Sequence, residues 1–151
     1  MSAMEMNVDE RDAFLAELHV AVLAVASGNK RPPLAVPVFY RYEPGGDFSF
    51  FTNTEGRSAR KVELIRDAGV VSVTIQKEDF PYKYVRVEAT VISIDQPAPF
   101  DGAFNVARRY MPEEMARGFV QSELDRADSK FTLITVRPER WDSHDFSKMG
   151  G

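Results

Sequence analysis

The chain has 151 residues, with 23 acidic against 19 basic side chains and a net charge of −4. That length suits one domain with a real core, and the mildly acidic balance excludes a global attraction to nucleic acid or to an anionic membrane surface, so any basic site has to be local. The absence of cysteine excludes a disulfide framework, thiolate metal sites and a cysteine nucleophile. Met1 to Asp9 lacks the charged and apolar regions of a signal peptide, and no apolar run approaches the ~18 residues of a membrane span. A soluble, cytoplasmic, single-domain protein spanning residues 1–151 is expected.

Asn7 to Leu18 reads as a helix capped by Asp9, with acids in its first turn and an apolar stripe of Phe14, Leu15 and Leu18. Val20 to Ala26 is a valine-rich apolar run ended by Ser27, Gly28 and Asn29, the pattern of a buried strand and a turn. Arg31 to Arg41 is expected to be a second strand with Leu34, Val36, Val38 and Tyr40 on one face. Proline cannot donate to a ladder, so the interior Pro37 implies that one side of this strand is free. Glu43 to Asp47 reads as a hairpin loop returning the chain into Phe48, which makes the two flanking strands antiparallel neighbours.

From Phe48 to Phe51 an apolar strand leads into a polar turn, Thr52 to Gly56, and then into a helix over Ala59 to Ala68, about three turns long, that stops at Gly69. Arg57, Arg60 and Lys61 crowd its start. The helix dipole already places partial positive charge there and favours acids instead, so the cations point to a bound anion, such as a phosphate, held by free N–H groups, hydroxyls and basic side chains. Val70 to Gln76 alternates as a half-exposed strand, and Tyr82 to Asp95 is long enough to bend around a barrel. Phe100 to Met111 and Pro112 to Arg126 read as a helix pair, with Pro112 in a first helical turn. Lys130 to Val136 is expected to be the last strand and Arg137 to Gly151 a polar tail. Six short-spaced strands with inserted helices suggest a small antiparallel barrel.

The common catalytic constellations are missing. His19 and His144 are the only histidines, and Ser143, His144 and Asp145 are adjacent in sequence, where a relay geometry is not expected. There is no phosphate loop of the Walker type and no dinucleotide glycine fingerprint. An enzyme of this composition would leave the chemistry to a cofactor.

The run PPLAVPVFYRYEPGGDFSFFTNTEGRSARKVELIRDAGVVSVTIQ, followed by PYKYVRVEATVISID and RPERWDSHDFSK, resembles the pyridoxamine 5′-phosphate oxidase-like split-barrel superfamily of flavin and deazaflavin oxidoreductases. The resemblance spans nearly the whole chain. It implies a mainly β fold, a six-stranded antiparallel Greek-key split barrel, in a homodimer that binds FMN or the deazaflavin coenzyme F420 at the subunit interface. Carried over by position, Arg57, Ser58, Arg60 and Lys61 match the basic turn on the cofactor phosphate, and Thr52 with Asn53 matches the strand end that feeds it. Ala35, Val36, Pro37 and Val38 match the strand whose backbone lies along the ring system. Gln76 matches a polar position able to reach the ring, and Trp141 an aromatic approaching the cofactor from the other subunit.

The chain also departs from the family. True pyridoxamine phosphate oxidases end in an Arg-Leu-His/Asn-Asp-Arg motif, where this chain has Arg137, Pro138, Glu139, Arg140 and Trp141, so pyridoxamine phosphate is not the expected substrate. The expectation is a hydride-transferring oxidoreductase using coenzyme F420, slightly preferred, or FMN on a small organic substrate, with Tyr84 or His144 as conceivable proton donors. A non-catalytic cofactor carrier, or a structural dimer with an empty cleft, is the alternative. Neither a metal, a nucleic acid nor a membrane is expected as a partner.

Overall fold

The computed structural model describes residues 3–53 and 58–149, the side chains of residues 58 and 59 excepted. The expected turn over Thr54, Glu55 and Gly56, and Arg57 after it, lie outside the described residues. Helix α1 (Val8–Ala16) begins at a capping box. The Asn7 side chain accepts from the Glu10 N–H at 2.8 Å, and the Glu10 carboxylate accepts from the Asn7 N–H at 2.9 Å. Asn7 is therefore the cap and Asp9 a first-turn acid, because only Asn7 has the extended backbone that lets a side chain fold back on the helix end. Phe14 and Leu15 are buried, whereas Leu18 lies beyond the helix and is exposed.

Seven strands follow: β1 (Ala21–Val25), β2 (Leu34–Val38), β3 (Arg41–Tyr42), β4 (Phe48–Thr52), β5 (Val70–Lys77), β6 (Lys83–Asp95) and β7 (Thr132–Asp145). All pairs are antiparallel, in the order β2-β1-β5-β6-β7-β4-β3. Helix α2 (Ser58–Ala68) crosses from β4 to β5 and ends at Gly69, whose φ of 71° and N–H to the Ile65 carbonyl at 3.0 Å are those of a glycine cap. Helices α3 (Phe100–Ala107) and α4 (Glu113–Asp125) lie between β6 and β7, with Pro112 flanking α4 as its N-cap rather than inside its first turn.

All six expected strand segments are present, and the count becomes seven because the second divides. Leu34–Val38 pairs with β1, whereas only Arg41 and Tyr42 pair with β4, and Phe39 and Tyr40 join the two. These pieces are the opposite ends of the sheet. Laid flat, seven strands would hold the ends roughly 29 Å apart, but the chain between Val38 and Arg41 can span only about 10 Å. The sheet must curl until its ends meet, leaving a barrel whose ladder is not closed.

The inner face fills with alternate residues of every long strand, among them Leu23, Phe50, Val73, Val87 and Ile134, and is plugged by Leu15 and Ile65. A second cluster packs α3 and α4 on the outside of β4 and β7 through Phe131, Leu133, Phe104 and Val120. Residues 132–134 of β7 are therefore buried on both faces instead of alternating. The expected polar tail is a continuation of β7, paired along β6 as far as Asp145 opposite Lys83, with register shifts at Glu88/Ala89 and Val91/Ser93. Those shifts let a long strand bend without losing its ladder. Ser143 and Asp145 point inward, and His144 between them stacks on Tyr84 at 5.8 Å, so the three form no relay.

The junction between the sheet ends is tied by one polar knot. The buried Tyr40 hydroxyl donates to the Leu15 carbonyl at 2.8 Å, and the Tyr40 N–H donates to the Tyr110 hydroxyl at 3.1 Å. The Arg109 guanidinium donates to the carbonyls of Tyr40 and, at 3.0 Å, Glu17, and lies 4.6 Å from the centre of the Tyr40 ring. Burial pushes the Tyr40 phenol up to about 12, so it stays a donor at every physiological pH. Arg109→Ala, which strands these carbonyls, should cost about 3 kcal/mol in urea unfolding, and Tyr40→Phe about 1 kcal/mol, both with unchanged m-values.

Candidate functional site

The site is built from the two halves of the split. On one side, β4 runs into Thr52, which is buried and donates to the Asn53 carbonyl at 3.2 Å. Asn53 lines a cavity of about 260 Å³ with Arg126, Ser129 and Lys130 from the segment between α4 and β7. Helix α2 opens at Ser58 with no acid in its first turn. Its inner residues Val62 and Ile65 are buried, and drawing them onto the barrel drags the neighbouring Lys61 partly out of water. Arg60 and Lys61 are both half-buried, and neither has a hydrogen-bond or ion-pair partner among the described residues. Desolvation holds the Lys61 ammonium below the ordinary lysine value. An arriving anion would supply the missing partner.

On the other side lies the end strand β2. Val36 and Val38 turn their side chains inward and Ala35 and Pro37 outward, so Val36 and Val38 present mainly backbone to the outside. Pro37 stands opposite Val22, whose other neighbour is Thr74. These three, with Leu18, His19, Val20 and Gln76, line an open groove of about 790 Å³ rimmed by Lys77, Glu78 and Asp79. The groove thus brings together Pro37 and Gln76, residues distant in sequence. Gln76 faces Tyr84 across the β5–β6 ladder and Tyr84 faces His144 across β6–β7, so the three form one row over the outer sheet.

The two sides are joined by stacked rings. Phe51, next to Thr52, packs edge-on to Phe39 at 6.3 Å, Phe39 stacks on Tyr110 at 4.1 Å, and the Tyr110 hydroxyl donates to the His19 carbonyl at 2.6 Å. The strand end at Asn53 and the groove at His19 are therefore ends of one continuous ledge along the split.

Trp141 lies elsewhere. It packs on Tyr42 and Phe48 with the Arg11 guanidinium 3.8 Å over its ring. On β7 it is roughly 30 Å along the strand, at the usual rise, from Thr132, the residue opposite Thr52. Within one chain it does not join Asn53 and Lys61. Arg57 is outside the described residues, and Ser58 is placed only as the first residue of α2. His19 is the groove residue that sequence reasoning did not single out, since its neighbours there come from β2 and β5 and no local motif announces them.

An antiparallel sheet curled around a split, with α3 and α4 packed on its outside, defines a split-barrel protein. The model of the pyridoxamine 5′-phosphate oxidase family matches residues 8–145, and the chain belongs to that family. Among solved structures it is similar to the conserved hypothetical protein Rv2991 of Mycobacterium tuberculosis, with 18% identity, coverage of 100% of this chain and 92% of that one, and a TM-score of 0.78. It is also similar to an F420 reductase, with 22% identity, coverage of 87% and 94%, and a TM-score of 0.64. A third is an FAD-binding protein of Mesorhizobium loti, with 18% identity, coverage of 92% and 93%, and a TM-score of 0.60. At such identities the likeness establishes the fold. No curated protein matches the chain significantly. Among the described residues no helix is long and apolar enough to cross a membrane.

Lys61, without a partner among the described residues, gives a stability test. Its folded value lies below the ordinary 10.5, so the native state binds this proton less well than the unfolded chain. The penalty is fully present below the folded value and disappears as pH rises towards 10.5. Lys61→Met should therefore raise Tm of the cofactor-free protein at neutral pH, by on the order of 2 °C, and the gain should shrink as pH rises towards that value. An anionic ligand should reverse the order, stabilising the wild type and not the variant.

Proposed function

We propose that the protein is an oxidoreductase that holds a flavin-type cofactor, coenzyme F420 or FMN, along the split and acts on a small organic substrate in the groove. The observation carrying this reading is the half-buried Lys61 ammonium without a partner among the described residues; the end strand β2 turns mainly backbone outward. Membership of the pyridoxamine 5′-phosphate oxidase family supports it, as do the F420 reductase and the FAD-binding protein among its structural neighbours.

In this reading Arg57, Arg60 and Lys61, with the Ser58 and Thr52 hydroxyls and Asn53, bind the cofactor phosphate. The backbone of Ala35 to Val38 lies against the ring edge, and Gln76 reaches the ring from β5. When bound, the ring supplies hydride chemistry, and the protein contributes orientation and electrostatics. The distance between Trp141 and Asn53 within one chain is met by a homodimer in which the partner's strand brings its tryptophan to the site. Coenzyme F420 is slightly preferred. Pyridoxamine phosphate itself is not the proposed substrate, because Arg137 to Trp141 replaces the family's substrate-phosphate motif.

The test is a titration of the apoprotein with FMN and with coenzyme F420, followed by fluorescence. One of them should bind selectively, and Lys61→Ala should weaken it by at least about tenfold, or ~1.4 kcal/mol, with an intact fold by circular dichroism. Failure of both cofactors to bind would sink the reading. Tight binding without turnover on quinones or enones would convert it to a carrier.

A further inference from the structure

We propose that Lys61 is a modification site, acylated on its side-chain nitrogen by small acyl phosphates, and that the acylated protein no longer holds its cofactor. The effect on the cofactor rests on the function proposed above, whereas the acylation itself does not.

Of the chain's six lysines, four are engaged. Lys148 donates to the Glu10 carboxylate at 2.7 Å and to the Glu5 carbonyl at 2.9 Å. Lys83 lies 3.9 Å from the buried Asp145 carboxylate, and Lys77 donates to the Pro81 carbonyl at 3.4 Å. Lys130 has a partner as well. Lys30 is exposed, where water solvates its ammonium. Lys61 alone is half-buried and without a hydrogen-bond or ion-pair partner among the described residues.

That combination makes an amine reactive. Only the unprotonated amine is a nucleophile, and a lysine is activated by desolvation or by a neighbouring cation. Lys61 has both. Burial of Val62 and Ile65 anchors this part of α2, and desolvation holds the ammonium below the ordinary lysine value. Arg60 beside it is a second half-buried cation without a partner among the described residues. A carboxylate such as those beside Lys83 and Lys148 does the opposite and favours the charged, unreactive form. Arg60 also selects the reagent. A guanidinium prefers a phosphate group, and an acyl phosphate carries one as its leaving group. No acid stands in the first turn of α2 to repel it.

In the step, the Lys61 nitrogen lone pair forms a bond to the acyl carbon. The bond from that carbon to the phosphate oxygen breaks, and its electron pair leaves with inorganic phosphate. The nitrogen loses one proton to solvent, and no oxidant or reductant takes part. The product is a neutral amide, so the positive charge is gone. A bulkier, uncharged side chain then stands where the cofactor phosphate needs a cation. The level of acyl phosphate thus sets the fraction of protein able to bind cofactor.

The experiment incubates the full chain, free of cofactor, with acetyl phosphate and, separately, with acetic anhydride, which carries no phosphate. Modified lysines are followed in time by peptide mass spectrometry. Acetyl phosphate should acetylate Lys61 ahead of Lys30 and of the four engaged lysines, and inorganic phosphate should slow that reaction. Arg60→Ala should slow the acetylation of Lys61 by acetyl phosphate more than that by acetic anhydride. Protein acetylated at Lys61, with its fold intact by circular dichroism, should bind FMN or coenzyme F420 at least about tenfold more weakly, as Lys61→Ala does. Lys61→Arg keeps the charge and has no acylatable amine, so its cofactor binding should survive treatment with acetyl phosphate. The site is overturned if Lys30 or an engaged lysine reacts before Lys61, or if Arg60→Ala affects both reagents equally. The switch is overturned if acetylation of Lys61 leaves cofactor affinity unchanged, or if treated Lys61→Arg loses affinity as the wild type does. If the untreated protein binds neither cofactor, the function proposed above fails and the switch with it, while the order in which the lysines react still decides the site.

Discussion

Everything in this protein depends on a two-residue connection. Phe39 and Tyr40 join strands that stand at opposite ends of the sheet, and so short a link converts an open ribbon into a barrel. The constraint concentrates polar groups where the chain turns from one edge to the other. Carbonyls of Leu15, Glu17 and Tyr40, left without ladder partners, gather around one guanidinium and two phenols. Buried backbone acceptors must be satisfied somewhere, and α3 ends at Ala107 so that Arg109 and Tyr110, just beyond its C-cap Arg108, can do it. The same link sets the ledge on which the candidate site is built, since Phe39 points outward to Tyr110 while Tyr40 points in.

A second tension is electrostatic. The start of α2 gathers cations where the helix itself is already positive, and burial of Val62 and Ile65 draws Lys61 inward with no counter-charge among the described residues. A fold selected for stability alone would place an acid there. Local rules broken in this way are characteristic of sites that are completed by a ligand.

Much of the fold was legible in sequence because period-two patterns survive wherever one face is solvated. Val71, Val73 and Ile75, or Val85 and Val87, announce their strands without ambiguity, and the hairpin at Glu43 to Asp47 is written in its glycines. The misreadings have physical causes. Asn7 and Asp9 are both good caps by composition, and only backbone geometry separates them. Residues 137–145 look like a tail because their outward side chains are charged, yet β6 holds them through its whole ladder. The break at Phe39 was hidden because residues 34–42 keep one uninterrupted alternation while changing partners midway. The candidate site was half legible. Basic residues clustered along the chain are visible in a string of letters, but His19 and Gln76 are companions only through pairings of β1 with β2 and β5.

The position of β7 governs how the molecule can be made. It is the last strand in sequence yet lies inside the sheet, between β6 and β4, and β3 reaches the rest of the sheet only through β4. During synthesis β1, β2, β5 and β6 can pair as they emerge, but β4 must wait beside them with Phe48 and Phe50 uncovered until β7 leaves the ribosome. The N-terminal segment waits as well, since Met4 and Met6 are held by Asp145 and Ser143. Until β7 is available, β4 therefore has only its short hairpin with β3 to pair with, and the barrel closes through contacts between segments far apart in sequence, which makes folding slow and leaves aromatic surface exposed meanwhile.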